Sequence, residues 1–164
     1  MTYTLRREQW IGRPLDEVFA FFADAQNLEK ITPPWLGFKI LSMSTNSISE
    51  GTVIRYRLRL HGIPFYWRTE ICEWIPPHGF VDVQAKGPYK QWRHTHSFEA
   101  HGNRTKMIDE VLYSLPFGIL GRIVHALKVR RDVNRIFDYR RQQIDALFSQ
   151  SGEQFVCRIR GSHN

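Results

Sequence analysis

The sequence predicts an α+β domain: a curved, seven-stranded antiparallel sheet wrapped round a long C-terminal helix, with two short helices between strands 1 and 2. Three observations predict it. Between Phe38 and Tyr113 apolar residues recur with a period of two, and turn residues interrupt them every ~8–14 positions, the pattern of an antiparallel meander. Residues 119–148 then change to helical spacing, with no Pro and no Gly after Gly121. A further alternating segment, 3–11, stands apart at the N-terminus. An antiparallel sheet must bury one face and an amphipathic helix one stripe, and the simplest two-layer solution lays the helix across the concave face. A strongly twisted sheet curls, so one helix cannot fill the hollow evenly and a cavity remains between them.

The elements follow in order. Tyr3, Leu5, Trp10 and Ile11 mark the first strand. Pro14 suits the first turn of a helix, where its missing N–H is not needed, and Asp16 and Glu17 complement the helix dipole there. Leu15, Val18, Phe19 and Phe22 form the apolar stripe of helix 14–23. Residues 24–31 read as a second short helix ended by Thr32-Pro33-Pro34. Strands follow at 38–41, 54–60, 65–74, 80–85, 91–100 and 106–115, separated by turn signals such as His61-Gly62-Ile63-Pro64 and His101-Gly102-Asn103. Leu120, Ile123, Val124, Leu127, Val133, Ile136, Phe137, Ile144, Leu147 and Phe148 carry the long helix. The expected organisation is one ligand-binding domain, 1–148, and a polar tail, 149–164.

Composition narrows the function classes. The 164 residues carry 42% hydrophobic and 13% aromatic residues, enough for a folded core and against disorder. No apolar run approaches the ~18 residues of a membrane span, no secretory h-region opens the chain, and a cytoplasmic location is the expectation. Cys72 and Cys157 match no metal or redox spacing, and Cys72 is expected as a buried free thiol. There is no P-loop, no G-x-G-x-x-G, no H-E-x-x-H and no G-x-S-x-G, so the common nucleotide, zincin and serine-hydrolase classes fall away. The net charge of +7 favours anionic partners. Arg55, Arg57 and Arg59 form a ladder on the outer face that would suit an anionic membrane. Without interleaved aromatics it is a poor single-strand nucleic-acid surface, and solvated arginines paired with Glu70, Glu73 and Glu99 account for it more simply than a docking surface does. The arginines of the long helix, Arg140 among them, read as an ordinary solvated face.

The chemistry concentrates on strand 91–100. Alternation puts Trp92, His94, His96 and Phe98 on the inward face. Three roles fit two histidines there: polar anchors for a ligand oxygen, satisfied core residues, or metal ligands. A metal needs a third ligand, none stands at a convincing spacing, and no metal site is expected. On the last strand Met107, Asp109, Val111 and Tyr113 share a face; if it is inward, Asp109 must be paired, and a His–Asp contact across neighbouring strands is within reach. The opposite face, Ile108, Glu110 and Leu112, is the alternative. The Trp67, Thr69 and Ile71 face of strand 65–74 is expected inward. Asp82, between Phe80 and Gln84, is expected in solvent.

Gly87-Pro88 followed by Trp92-x-His94-x-His96-x-Phe98 resembles the START/SRPBCC superfamily. So does Asp109-x-Val111-x-Tyr113-x-Leu115-Pro116 running into a long helix with Arg130-Arg131-Asp132 and Phe137. The similarity spans residues 1–148 and points to the branch labelled polyketide cyclase/dehydrase or coenzyme-Q-binding-like. It implies the helix-grip fold and binding of lipids, sterols, quinones or polyketides. The superfamily shares no catalytic set, so none is carried over, and no cofactor is implied.

The leading expectation is binding or transport of a hydrophobic small molecule, with Leu28, Ile31, Trp35, Tyr56, Trp67, Trp92, His94, His96, Tyr113, Ile123, Leu127 and Phe137 lining or gating the cavity. The short helices 14–31 and the loop 62–64 would form its mouth. The second expectation is a cofactor-free cyclase, dehydratase or hydrolase using His94, His96 and Asp109. The third is an interaction module using the arginine face. A monomer or homodimer fits each of them.

Overall fold

The computed structural model describes residues 1–160, the side chains of 120–122, 125–126 and 150–160 excepted. Strand β1 (Tyr3–Ile11) leads into α1 (Leu15–Phe22), α2 (Asn27–Lys30) and a 3-10 turn (Pro34–Leu36). Six strands follow: β2 (Lys39–Met43), β3 (Val53–Leu60), β4 (Ile63–Ile75), β5 (Gly79–Lys86), β6 (Gln91–His101) and β7 (Arg104–Ser114). The chain closes with α3 (Gly118–Val124), a π-helical turn (His125–Val129) and α4 (Arg130–Arg160). The strands form one open antiparallel sheet in the order β1-β7-β6-β5-β4-β3-β2. This is the α+β helix-grip arrangement that the sequence predicts.

Turn chemistry and bulges shape the sheet. The β3–β4 hairpin closes through His61 (φ 52°) and Gly62 (φ 82°) alone, a pair of left-handed residues whose twist matches the strands. The turn is therefore tighter than His61–Pro64, and Ile63 and Pro64 belong to β4, paired with Leu60 and Arg59. Register shifts between Arg68 and Thr69 and between Ile71 and Glu73 interrupt the β4–β5 ladder, and such bulges add local twist and bend.

Side-chain ties hold α4 on the concave face. From β1, Arg7 Nη2 donates to Asn134 Oδ1 at 2.6 Å, and Gln9 Nε2 to Asp145 Oδ1 at 2.7 Å. From the β3–β4 turn, His61 Nε2 lies 2.8 Å from Asp132 Oδ2. Helical backbone continues to Arg160, so the helix does not stop at 148; residues 161–164 of the expected tail lie outside the described residues, as does the side chain of Cys157. Among the described residues no helix is long and apolar enough to cross a membrane.

Among the described residues the core has two apolar clusters. One joins Phe19 and Phe22 of α1 to Ile71, Phe80, Phe98, Met107 and Ile144. The other joins Leu5, Val111 and Tyr113 of the sheet to Val133 and Phe137 of α4. Between β5 and β6 the backbones approach closely at Gly79, where a Cβ would collide with the carbonyl oxygen of His96. Backbone on both sides leaves little room to adjust, so Gly79→Ala is expected to destabilise the protein by about 1–3 kcal/mol in urea unfolding. A wild-type midpoint would show that the strands separate freely there.

Candidate functional site

A cavity of about 370 Å³ lies between the sheet and α4. Its wall is mostly apolar. Leu28 and Ile31 close it at the short helices, Tyr56 and Trp67 come from β3 and β4, Trp92 from β6, and Val133 and Phe137 from α4. Tyr56 and Trp67 stack at 5.9 Å with 15° between ring planes. Thr69 Oγ1 receives the Trp67 indole N–H at 3.1 Å and lies 3.2 Å from Tyr56 Oη, which anchors both rings.

At the junction of the two apolar clusters the lining turns ionisable. Alternation along β6 runs Trp92, His94, His96, Phe98, so the imidazoles fall between an aromatic at each end, inward and 6% and 4% exposed. Cross-strand register brings Asp82 of β5 opposite His94 and Asp109 of β7 opposite His96. The α4 stripe Val133, Phe137, Arg140, Ile144 places Arg140 at the same level. His94 Nε2 lies 2.9 Å from Asp109 Oδ1, and His96 Nε2 lies 3.1 Å from Asp82 Oδ2. The remaining ring nitrogens also face carboxylates: His94 Nδ1 is 3.6 Å from Asp82 Oδ2, and His96 Nδ1 is 2.9 Å from Asp109 Oδ1 but out of line for a hydrogen bond. Arg140 Nε is 3.6 Å from Asp109 Oδ2. Aromatic faces cover the group: Phe80 stacks on His96 at 4.2 Å, and Phe137 meets His94 edge-on at 5.3 Å.

Burial and charge pull these groups in opposite directions. Burial alone would raise Asp109, but Arg140 and the two imidazoles outweigh it and hold the carboxyl well below its usual range. Burial and the neighbouring His96 push His94 down, against the attraction of Asp109 and Asp82. For His96 burial also favours the neutral ring, yet the two carboxylates prevail and its pKa is raised. Burial and the Asp82 charge push the Tyr56 phenol up, so it stays protonated and a donor.

The sequence-expected residues divide between cavity wall, core and surface. Leu28, Ile31, Tyr56, Trp67, Trp92, His94, His96 and Phe137 line the cavity. Tyr113 does not: it is buried in the second cluster, packed against Tyr3, Tyr89 and Trp92. Trp35 does not either, because the 3-10 turn points Leu36 inward and leaves Trp35 at the surface beneath Arg135. Ile123 and Leu127 are 51% and 78% exposed. The π-helical turn inserts an extra residue per turn and rotates their stripe away from that of α4, so Val129 and Val133 take the inward positions. Ile63 and Pro64 of the expected mouth are exposed and off the cavity wall. Asp109 faces inward, as the first alternative had it.

Two residues were expected elsewhere. Asp82 points into the cavity rather than into solvent, and Arg140 is half-buried on the cavity wall rather than part of a wet helix face. Both had a signal. Phe80 shares a strand face with Asp82, and Arg140 falls at the 4-3-4 spacing of the apolar stripe. Cys72 is half-buried on the outer face, 3.5 Å from Arg93 Nη1, not a core thiol. On that face Arg93 pairs with Glu73 at 2.6 Å, while Arg55 and Arg59 are exposed.

Residues 11–137 match the family described as polyketide cyclase / dehydrase and lipid transport. The chain belongs to that family. Solved structures with the same fold include the Zhui aromatase/cyclase from a Streptomyces species, with a TM-score of 0.72 at 14% identity over 92% of this chain and 95% of that one. Norcoclaurine synthase from Thalictrum flavum aligns with a TM-score of 0.66 at 13% identity, covering 93% and 97% of the two chains. A START superfamily protein from Mycobacterium smegmatis reaches 0.63 at 11% identity, covering 88% and 98%. No curated protein matches the chain in sequence. This member of the family carries a largely apolar pocket whose floor holds His94, His96, Asp82 and Arg140.

Proposed function

We propose that the protein binds a drug-sized apolar molecule bearing one or two oxygen atoms, a lipid, quinone or polyketide-like ring system. The observation that carries this reading is the 370 Å³ largely apolar cavity, on whose wall His94, His96, Asp82 and Arg140 converge. Cavities of this size hold small ligands, and a few convergent polar groups fix their orientation. Burying ~200 Å² of apolar guest surface contributes on the order of 5 kcal/mol before ordering costs. A carbonyl or hydroxyl on the guest would meet the imidazoles and the Arg140 guanidinium.

Filling the cavity tests it. Val133 and Ile54 are buried on its wall, so the double variant Val133→Phe/Ile54→Phe removes guest space while keeping apolar contacts. Binding of a fluorescent anilinonaphthalene sulfonate is expected to weaken about tenfold or more, equivalent to ~1.4 kcal/mol, with the unfolding midpoint held or raised. Unchanged dye affinity would refute a guest in this space. Organic extraction of the purified protein then identifies the natural occupant.

The same cluster supports a second reading, acid–base chemistry on an enolisable guest, because two imidazoles held against carboxylates are poised to exchange protons. Turnover of the extracted guest, lost in His94→Gln while its binding persists, separates the enzyme from the carrier.

A further inference from the structure

We infer that Asp82, His94 and His96 form a three-ligand site for one divalent transition-metal ion of the zinc class, its remaining position open to the cavity. The ligand atoms Asp82 Oδ2, His94 Nδ1 and His96 Nε2 belong to three side chains whose donors all lie within 4.8 Å of one another. Asp82 Oδ2 is 3.6 Å from the first nitrogen and 3.1 Å from the second. An ion ~2.0–2.2 Å from each of its ligands in tetrahedral geometry sets those ligands roughly 3.3 Å apart, so both spacings suit it. All three residues line the cavity.

The ring nitrogens point to the same ion. Four ring nitrogens each face a carboxylate oxygen, two towards Asp82 and two towards Asp109. Two neutral imidazoles supply only two N–H groups, which leaves two nitrogen lone pairs aimed at carboxylates. One additional proton fills one place and leaves the other lone pair against a carboxylate, and a second would set two imidazolium rings 3.7 Å apart between centroids, in a buried site. A single dication resolves both contacts together when the N–H groups turn to Asp109 and the lone pairs to Asp82. Asp109 then receives the outer ring N–H of His94 and lies 2.9 Å from that of His96, the usual kind of partner for metal-bound histidines, and Arg140 balances its charge. Two imidazoles with one carboxylate select zinc, iron, cobalt or nickel over magnesium and calcium, which take oxygen ligands.

The sequence alone disfavours a metal because it offers no third ligand at a recognisable spacing. Asp82 enters only through the β5–β6 register. The site does not need a guest, but its open position faces the space proposed for one, so a guest oxygen would complete the coordination shell.

The test uses the full-length chain, free of any affinity tag and stripped by a chelator. Zinc alone is titrated against a chromophoric chelator, and cobalt alone is followed by its visible ligand-field bands. One ion per chain is expected, with cobalt bands of four- or five-coordinate intensity and a zinc-dependent rise in the wild-type melting temperature. Asp82→Asn and His94→Gln are each expected to lose zinc affinity by about 100-fold, and Asp109→Asn, which acts through the histidines, by about 10- to 100-fold. His78→Gln and His101→Gln, on the surface, should leave it unchanged. If Asp82→Asn fails to fold, His94→Gln and the wild-type cobalt spectrum still decide. No saturable binding to the wild type overturns the proposal, and so does equal binding by all three cluster variants. Dye binding measured on the metal-free sample keeps the two readings apart: dye without zinc ends the metal site alone, and zinc without dye ends the cavity reading alone.

Discussion

Asp109→Ala is expected to lower stability by about 3–5 kcal/mol, the usual cost of removing one partner from a buried ionic network. Asp109 is 6% exposed and faces three cationic or cation-capable groups: His94 and His96, each at 2.9 Å, and Arg140 at 3.6 Å. The substitution leaves the guanidinium without its carboxylate in a site floored by aromatic rings. The imidazoles can relieve themselves by shedding a proton, but Arg140 cannot. The double variant Asp109→Ala/Arg140→Met should therefore recover part of the loss, with a coupling energy of about 0.5–3 kcal/mol in a double-mutant cycle. Equilibrium unfolding in urea measures all three variants. Strict additivity, or a loss under 1 kcal/mol for Asp109→Ala, would mean that the cluster is wet and its members independent.

Phe98→Ala should cost a similar amount, about 3–5 kcal/mol, through a different term: lost transfer free energy plus the void left behind. Phe98 is 1% exposed and stands where α1 meets the sheet, 5.9 Å from Phe19 and 5.2 Å from Phe22 between ring centroids. Those two residues, with Val18, seat α1. Because Phe22 also lines the cavity, the void adjoins the guest space, and α1 loses one of the rings it packs against. Phe98→Leu restores most of the volume and should cost less than half as much. Dye affinity should fall in the alanine variant and return in the leucine variant. A dye affinity indifferent to both would show that α1 does not shape the cavity.

The two perturbations separate what packs from what is charged. Along the inward face the sheet alternates between these regimes: Trp92 and Phe98 on β6, and Tyr113 and Met107 on β7, bracket the histidines and Asp109. The helix repeats the pattern, with Phe137 and Ile144 bracketing Arg140. The apolar flanks exclude water, which strengthens every interaction within the charged layer and makes an unpaired member costly.

Periodicity makes most of this legible in the sequence. Period-two alternation assigned the faces of β6 and β4 correctly, because inward and outward positions are dictated by the pleat itself. It misplaces Asp82, because a carboxylate reads as a solvent residue although it shares its strand face with Phe80. Arg140 was missed for the same reason, a charge at a core spacing of α4. Ile123 and Leu127 were misplaced because a π-helical turn changes the phase of the helix without a sequence mark.

By itself the sequence determined the seven strands, the terminal helix, the inward row of Trp92, His94, His96 and Phe98, and the family, because hydrophobic period and turn chemistry are local properties of the chain. Only the tertiary structure decided that Asp82, Asp109 and Arg140 converge on those histidines. Their meeting depends on cross-strand register, on the bulges in β4 and on the phase of α4 after the π-helical turn. Each of these shifts a side chain by a whole face, and none is encoded by the residues next to it.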